Sequence, residues 1–279
     1  MKENWHQLVR EALSEDIGSG DITAQATIKA DASVSASIFS KQNGVLSGIQ
    51  VAVYAFSSLD NTLKFKQFFE DGAVISSEDE ILQITGKTTS ILMSERVALN
   101  FLSHLSGVAT LTRSYVERIK GTAAKIIDTR KTTPLLRALE KEAVRAGGGY
   151  NHRMGLYDMI LIKENHIKAA GSISKAVEQT HKFLSMVKLD ARIEIETTNL
   201  DEVIEALSVR VDRIMLDNMS LKDIRKAVEI VEGRVELEAS GGITLETVRA
   251  VALTGIDYIS VGALTHSFNS FDFTLLFNG

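Results

Sequence analysis

The sequence predicts an α/β protein: an open or partly closed α/β barrel of about six parallel strands, with a smaller N-terminal α/β sandwich domain. Three observations carry that prediction. From about residue 125 onward one unit recurs, a short apolar run, a polar or glycine-rich turn and an amphipathic helix. Alternation of this kind yields parallel strands, because each crossover helix returns the chain to begin the next strand in the same direction. Each run also ends in polar, charged or glycine residues, as strands do where a barrel binds its ligand. The first hundred residues lack the recurrence and mix alternating strand-like runs with helices.

In order, the N-terminal part reads as a helix near Trp5 to Leu13, a turn at Gly18-Ser19-Gly20-Asp21 and a strand at Val34 to Ser40. A helix near Ile49 to Leu59 and strands at Leu63 to Phe69 and Ile81 to Thr85 follow. A long helix from about Ser90 to Lys120, with a possible break near Gly107, leads onward. The six barrel strands are expected at Lys125-Ile127, Met159-Ile162, Arg192-Ile195, Arg213-Leu216, Val235-Glu238 and Tyr258-Val261. Thr133 before Pro134, Ser172, Asn199, Ser220 and Thr244 are expected N-caps, since their side-chain oxygens can accept the first free amides of a helix. Gly147, Gly233 and Gly255 are expected left-handed C-terminal caps. The domains predicted are 1–107, a barrel at 108–266, and a Phe- and Leu-rich tail at 267–279 that packs back on the first domain. A doubly wound sheet would accommodate the same six units, and the barrel is preferred.

Composition narrows the function. At 279 residues, 44% hydrophobic and 24% charged, the chain is globular rather than disordered. No run approaches the roughly 20 apolar residues of a bilayer span, and Met1 to His6 lack the apolar core of a secretory leader, so a cytoplasmic protein is expected. With no cysteine, disulfides, thiolate metal sites and a cysteine nucleophile are all excluded. The net charge is −5, yet residues 125–168 hold nine Lys or Arg against five Asp or Glu. A positive focus inside an acidic chain suits a small anionic ligand; a nucleic-acid binder spreads basic charge over a wide surface.

The residues just after each strand supply the chemistry. Arg130, Lys131, His152, Arg153 and Lys163 form a cationic set able to hold a ligand with more than one negative charge. Singly, each is an ordinary surface ion-pair residue; together at strand ends they are not. Gly147-Gly148-Gly149 before them is either a helix end or a mobile lid. Glu196 and Asp217 follow separate strands and can hold Mg²⁺ or hydrogen-bond a ribose diol. Glu194 shares the face of Glu196 and is expected to pair with Lys163 or another cation inside the barrel. Ser240-Gly241-Gly242, expected to run directly into a helix, and Gly262-Ala263 offer two adjacent phosphate-cradling turns.

These residues resemble the quinolinate phosphoribosyltransferase family across almost the whole chain. The motifs are Glu15-Asp16-Ile17-Gly18-Ser19-Gly20-Asp21-Ile22-Thr23, Ser94-Glu95-Arg96-Val97-Ala98-Leu99-Asn100, Asp128-Thr129-Arg130-Lys131-Thr132-Thr133-Pro134, Asn151-His152-Arg153-Met154-Gly155-Leu156, Leu216-Asp217-Asn218 and Ser240-Gly241-Gly242-Ile243. The resemblance implies transfer of phosphoribose from phosphoribosyl pyrophosphate to quinolinate with loss of CO₂, supported by Mg²⁺, in a homodimer. It implies that Arg130, His152, Arg153 and Lys163 bind the quinolinate carboxylates and that Lys131 lines the pocket and contacts the phosphorylated ligand. Glu196 and Asp217 match the ribose and metal acids, and Ser240, Gly241, Gly242, Gly262 and Ala263 match the phosphate loops. Arg96 matches an arginine reaching in from the partner subunit. Leu135 departs from the family, which commonly has Gly there; in the first turn of a helix it is expected to alter packing with little effect on chemistry. The rival readings are a transferase for nicotinate, a Schiff-base lyase using Lys163, and a binding protein without catalysis.

Overall fold

The structure, a computed structural model, describes residues 5–278; Met1 to Asn4 and Gly279, and with them most of the expected leader-free amino terminus, lie outside the described residues. In chain order the elements are α1 (Trp5–Ile17), α2 (Ile22–Thr27), β1 (Ser33–Ser40), β2 (Gly44–Val45), α3 (Ile49–Leu59), β3 (Lys64–Gln67), β4 (Val74–Ile75) and β5 (Glu80–Lys87). Next come α4 (Thr88–Arg118), β6 (Lys125–Ile127), α5 (Arg137–Ala146), β7 (Ile160–Ile162), α6 (Glu164–Ala170), α7 (Ile173–Val187) and β8 (Ile193–Thr197). The remainder is α8 (Leu200–Ser208), β9 (Arg213–Asp217), α9 (Leu221–Val231), β10 (Glu236–Ser240), α10 (Val248–Ala252), β11 (Tyr258–Ser260), α11 (Ala263–His266) and β12 (Phe273–Phe277). The chain forms two compact units, one of residues 1–113, 132–148 and 264–279, the other of 114–131 and 149–263.

The first unit is built on an antiparallel sheet in the order β12-β1-β5-β3. Ala36 and Ile38 of β1 pair with Ile84 and Leu82 of β5, and all four are fully buried. Ile49, Ala52 and Phe56 recur at helical spacing on α3 and bury its apolar stripe. Complete burial of Phe56 contributes on the order of 1.5–3 kcal/mol. In the tail, β12 lies against β1, with Phe273 opposite Ser40 and Phe277 opposite Ala36. Helix α4 runs unbroken through Gly107, because that glycine has a packing duty: a Cβ there would lie 2.4 Å from the Asn269 carbonyl oxygen.

Residues 132–148 also belong to this unit, a cut different from one at residue 107. The reason is legible in α5, whose buried Glu140 lies 2.7 Å from Nε2 of His104 and accepts the Thr133 N–H at 3.0 Å. Thr133 is therefore not the cap of this helix; Pro134 to Leu136 form a turn and the helix begins at Arg137. Leu135 sits in that turn at φ 66 and is 82% exposed. The expected packing change is thus a backbone one. Glycine suits this left-handed position, and a leucine costs about 1 kcal/mol in strain. Gly147 has an ordinary φ of −69, and the left-handed residue is Gly148.

The second unit is a six-stranded, all-parallel sheet in the order β6-β11-β10-β9-β8-β7. The order is cyclic: strands follow one another in one direction, and the last lies beside the first. That is the winding of a barrel with its seam between β6 and β7; a doubly wound sheet reverses direction midway. Apolar residues of β8, β9 and β10, Ile193, Ile195, Ile214, Leu216, Leu237 and Ala239, are buried on one face. Amphipathic α7, α8 and α9 bury Ile173 and Val177, Val203 and Ala206, and Ile224, Ala227 and Val231. Ser172, Asn199 and Ser220 cap these three helices as expected, each accepting a backbone N–H three residues on. Thr244 does not cap α10; residues 245–247 turn first and the helix starts at Val248.

Candidate active site

Strand period two puts polar side chains on the inner face of the barrel. Glu194 of β8 pairs in register with Arg213 of β9, which pairs with Glu236 of β10; one rung further, Glu196, Met215 and Glu238 align. Asp217 and Ser240 form the last rung, at the carboxyl ends. Registered neighbours in a parallel sheet share a face, so Glu194, Glu196, Arg213, Asp217, Glu236, Glu238 and Ser240 all belong to one surface.

At the carboxyl ends cations gather. Arg130 and Lys131 follow β6 and are exposed, and the Lys131 N–H is held by Thr129 Oγ1 at 3.0 Å. Arg153 donates Nη1–H to the Met159 carbonyl at 3.1 Å, while its Nε is buried with no hydrogen-bond partner among the described residues. Partial burial, then the neighbouring Arg130, holds the Arg153 guanidinium below its ordinary pKa against the opposing pull of Glu194 and Asp158. An unpaired buried donor beside a second guanidinium is costly unless an anion completes the set. Lys163, half exposed at the end of β7, has its Nζ 3.1 Å from Glu196 Oε2.

Glu196 and Asp217 stand on adjacent strands, Asp217 two residues beyond the register partner of Glu196 and on the same face. Asp217 accepts Nδ2–H of Asn218 at 2.8 Å. Two carboxylates so placed fit a hard divalent cation such as Mg²⁺, which takes one or two protein carboxylates and keeps water and substrate oxygens for the rest. Beside them, Gly241 and Gly242 have φ 98 and 60. A Cβ on Gly241 would lie 2.1 Å from Asn218 Oδ1, so only glycine is accommodated, whereas Gly242 faces open space. The expected direct entry into a helix is replaced by a turn before α10, so main-chain amides rather than a helix dipole make this cradle. Gly262 and Ala263 open α11 at the neighbouring strand end.

His152 lies deeper than the other cations. Its side chain is 6% exposed, with Nε2 3.1 Å from Glu194 Oε2 and 3.6 Å from Glu238 Oε2. Glu194 thus meets His152 and not Lys163, which takes Glu196 instead. Arg213, buried between strands, has Nη1 3.1 Å from Glu238 and Nη2 3.3 Å from Glu236, and stacks 3.9 Å over the ring of Tyr258. Burial, reinforced by Glu194, pushes the Glu238 carboxyl up to about 8; burial also raises Glu194 despite Arg213. The three glutamates outweigh burial and keep Arg213 above its ordinary value.

The second unit therefore brings together Arg130, Lys131, His152, Arg153, Lys163, Glu196, Asp217, Ser240, Gly241, Gly242, Gly262 and Ala263. Arg96 is exposed on α4, in the first unit. Arg213, Glu236 and Glu238 were not singled out from sequence. Their signal was present: Glu-Ile-Glu, Arg-Ile-Met-Leu-Asp and Glu-Leu-Glu-Ala-Ser alternate charged and apolar residues in three consecutive strands, which marks a polar barrel lining.

Comparison with known proteins bears on the family and the fold. Residues 108–276 match the family described as quinolinate phosphoribosyl transferase, C-terminal domain, and residues 21–106 match its N-terminal domain. Quinolinate phosphoribosyltransferase [decarboxylating] 1b of Nicotiana tabacum is 42% identical over 96% of this chain and 81% of its own length. The probable nicotinate-nucleotide pyrophosphorylase [carboxylating] of Bacillus subtilis is 42% identical over 96% of this chain and 92% of its own. The solved nicotinate-nucleotide pyrophosphorylase of Francisella tularensis superposes with a TM-score of 0.94 at 42% identity, covering 98% of this chain and 95% of that one. With both domain models matched and relatives aligned nearly end to end, the chain belongs to the quinolinate phosphoribosyltransferase family.

Proposed function

We propose that the protein transfers phosphoribose from phosphoribosyl pyrophosphate to quinolinate and decarboxylates the product, giving nicotinate mononucleotide, pyrophosphate and CO₂, a step of NAD biosynthesis. The observation that carries this reading is the Arg130–Arg153 pair with its buried, unpartnered Nε, set on the same unit as the Glu196–Asp217 acids and the Gly241-Gly242 turn. A dicarboxylate answers the cations, and a phosphorylated sugar answers the acids and amides.

In this reading Arg130, Arg153 and Lys163 grip the quinolinate carboxylates, with His152 behind them, while Lys131 contacts the phosphorylated ligand. Ser240, Gly241, Gly242, Gly262 and Ala263 hold the 5-phosphate. The pyridine nitrogen attacks the anomeric carbon as the bond to pyrophosphate breaks, and the positive charge developing on the sugar is stabilised by Glu196 and Asp217. The ring nitrogen then accepts the electrons of the departing 2-carboxylate, and a proton takes its place on the ring. No general base is needed for the attack, since a pyridine nitrogen has no proton to lose. Mg²⁺, held by Glu196 and Asp217 directly or through water, supplies positive charge to the leaving pyrophosphate when bound. Lys163, half exposed beside a carboxylate, lacks the apolar pocket that a Schiff-base lysine requires.

The proposal includes a homodimer in which exposed Arg96 completes the partner's site, and cytoplasmic residence, which the absence of cysteine suits. No helix among the described residues is long and apolar enough to cross a membrane. The test is release of CO₂ and pyrophosphate by purified protein given quinolinate, phosphoribosyl pyrophosphate and Mg²⁺, with nicotinate as the contrasting acceptor. Equal or better turnover of nicotinate would reject the dicarboxylate assignment. Mixing Arg96→Ala subunits with Lys163→Ala subunits is expected to restore activity, and no restoration would reject the shared site.

A further inference from the structure

We propose that Asn218 is a positioning residue for the sugar side of the reaction: its carboxamide, wedged between Asp217 and the Gly241 turn, sets the plane of the Asp217 carboxylate. The part concerning the sugar rests on the functional reading above; the bond itself does not. Asp217 and Ser240 are the last registered pair of β9 and β10, and the pairing runs one step further, since the Asn218 N–H donates to the Ser240 carbonyl at 2.9 Å. Asn218 then leaves the strand at φ 53, a left-handed backbone that asparagine tolerates better than most residues with a side chain. From there its side chain reaches both neighbours. Nδ2–H donates to Asp217 Oδ2 at 2.8 Å, and a Cβ on Gly241 would lie 2.1 Å from Oδ1 and 2.5 Å from Cγ. A carboxylate accepts hydrogen bonds and donates none, so the amide nitrogen faces Asp217 and the amide oxygen faces the glycine.

A carboxylate at a strand end turns easily about its last torsion, whose wells are broad. Pinning Oδ2 fixes the plane and leaves Oδ1 to meet a sugar hydroxyl or a cation. The close approach of Gly241 keeps the carboxamide from swinging away, and it explains from the other side why residue 241 has no room for a Cβ. Asn218 thereby ties the acid of β9 to the glycine turn of β10, which hold different parts of one phosphorylated sugar. Glu196 is oriented by other means, with Lys163 Nζ 3.1 Å away. A neutral amide orients Asp217 without cancelling the negative charge that a cationic sugar or Mg²⁺ requires.

Asn218→Gly keeps the left-handed backbone and deletes only the carboxamide, so it is expected to melt within about 5 °C of wild type. Its kcat/KM for phosphoribosyl pyrophosphate is expected to fall about tenfold or more, while quinolinate affinity measured by calorimetry stays within about twofold. An unchanged kcat/KM, or an equal loss of quinolinate affinity, overturns the proposal. Because Asn218 acts through Asp217, adding Asn218→Gly to Asp217→Ala is expected to cost less than about twofold more, and a further loss of about tenfold overturns it. Proton–nitrogen NMR of the Asn218 carboxamide, assigned by its loss in Asn218→Asp, reads the bond without turnover. The Nδ2–H signal is expected to move in Asp217→Ala; a signal that stays in place overturns the proposal. Failure of wild type to release pyrophosphate from phosphoribosyl pyrophosphate and quinolinate would reject the functional reading alone; the carboxamide signal would still decide the bond.

Discussion

The barrel treats charge differently at its two depths. In the interior, Glu194, Glu238, Arg213 and His152 answer one another at 3.1 to 3.6 Å. At the carboxyl ends, Arg153 stands beside Arg130, its Nε buried without a hydrogen-bond partner among the described residues. Apart from His152 the interior charges stand on β8, β9 and β10, whereas Arg130 and Arg153 lie on the irregular segments that follow β6 and precede β7. The difference is one of composition: the interior sets opposite charges against one another at close range, whereas the rim sets two guanidiniums side by side. Buried ion pairs add little net stability, but breaking one is expensive, which makes the interior a rigid support for the rim.

The largest expected effect comes from the rim. Arg153→Ala should lower quinolinate affinity by about 100-fold or more, since truncating a desolvated charge contact costs about 2–5 kcal/mol. Calorimetry should find phosphoribosyl pyrophosphate binding intact; unchanged quinolinate binding would erase the contrast between depths. Asp217→Asn is expected to reduce kcat about 10²-fold through the sugar side of the reaction. A normal Mg²⁺ response in that variant would argue against the metal role.

Interior titration should show up as stability instead. The Glu238 carboxyl is held near 8 in the fold, against an ordinary 4.5, by burial and Glu194, opposed by His152, Ser260 and Arg213. Its folded form binds the proton more tightly, so its contribution is full below about 4.5 and is lost as pH rises toward 8. Glu238→Gln mimics the protonated carboxyl. Its melting temperature relative to wild type is therefore expected to climb between pH 5 and pH 8; a gap that stays constant would contradict the interior assignment. The smallest effect belongs to the wet end of the network, where Arg192, half exposed, pairs with Glu236. Arg192→Ala is expected to cost less than about 1 kcal/mol by denaturant titration, as exposed ion pairs do, and a larger loss would extend the rigid interior to the surface.

Much of this was legible in the residues. All six barrel strands fall within a residue or two of their apolar runs, because glycine or polar clusters bound each run on both sides. Short elements escaped: α2 has only six residues and α6 seven, too few for helical periodicity to declare itself. Leu135 was misjudged because a proline directly after a threonine reads as a helix start; the usual family glycine was the clue to a left-handed backbone. Gly107 illustrates the opposite error, a glycine whose purpose is close approach and not flexibility. The inward turn of His152 could not be read from its position after a strand, since the carboxyls that face it come from β8 and β10, more than 40 residues away.

One consequence follows from the seam in the barrel. Because β7 does not pair with β6, the outer edge of β6 is available, and Tyr150 uses it: its N–H donates to the Ile126 carbonyl at 2.8 Å and its carbonyl accepts Asp128 N–H at 3.1 Å. The chain leaving that bridge is Asn151-His152-Arg153. A fully sealed cylinder would have consumed these main-chain groups in ordinary strand pairing and left Arg153 on an unanchored loop. The incomplete closure is therefore what allows Arg153 to be registered by backbone hydrogen bonds, independent of whatever length the intervening segment has.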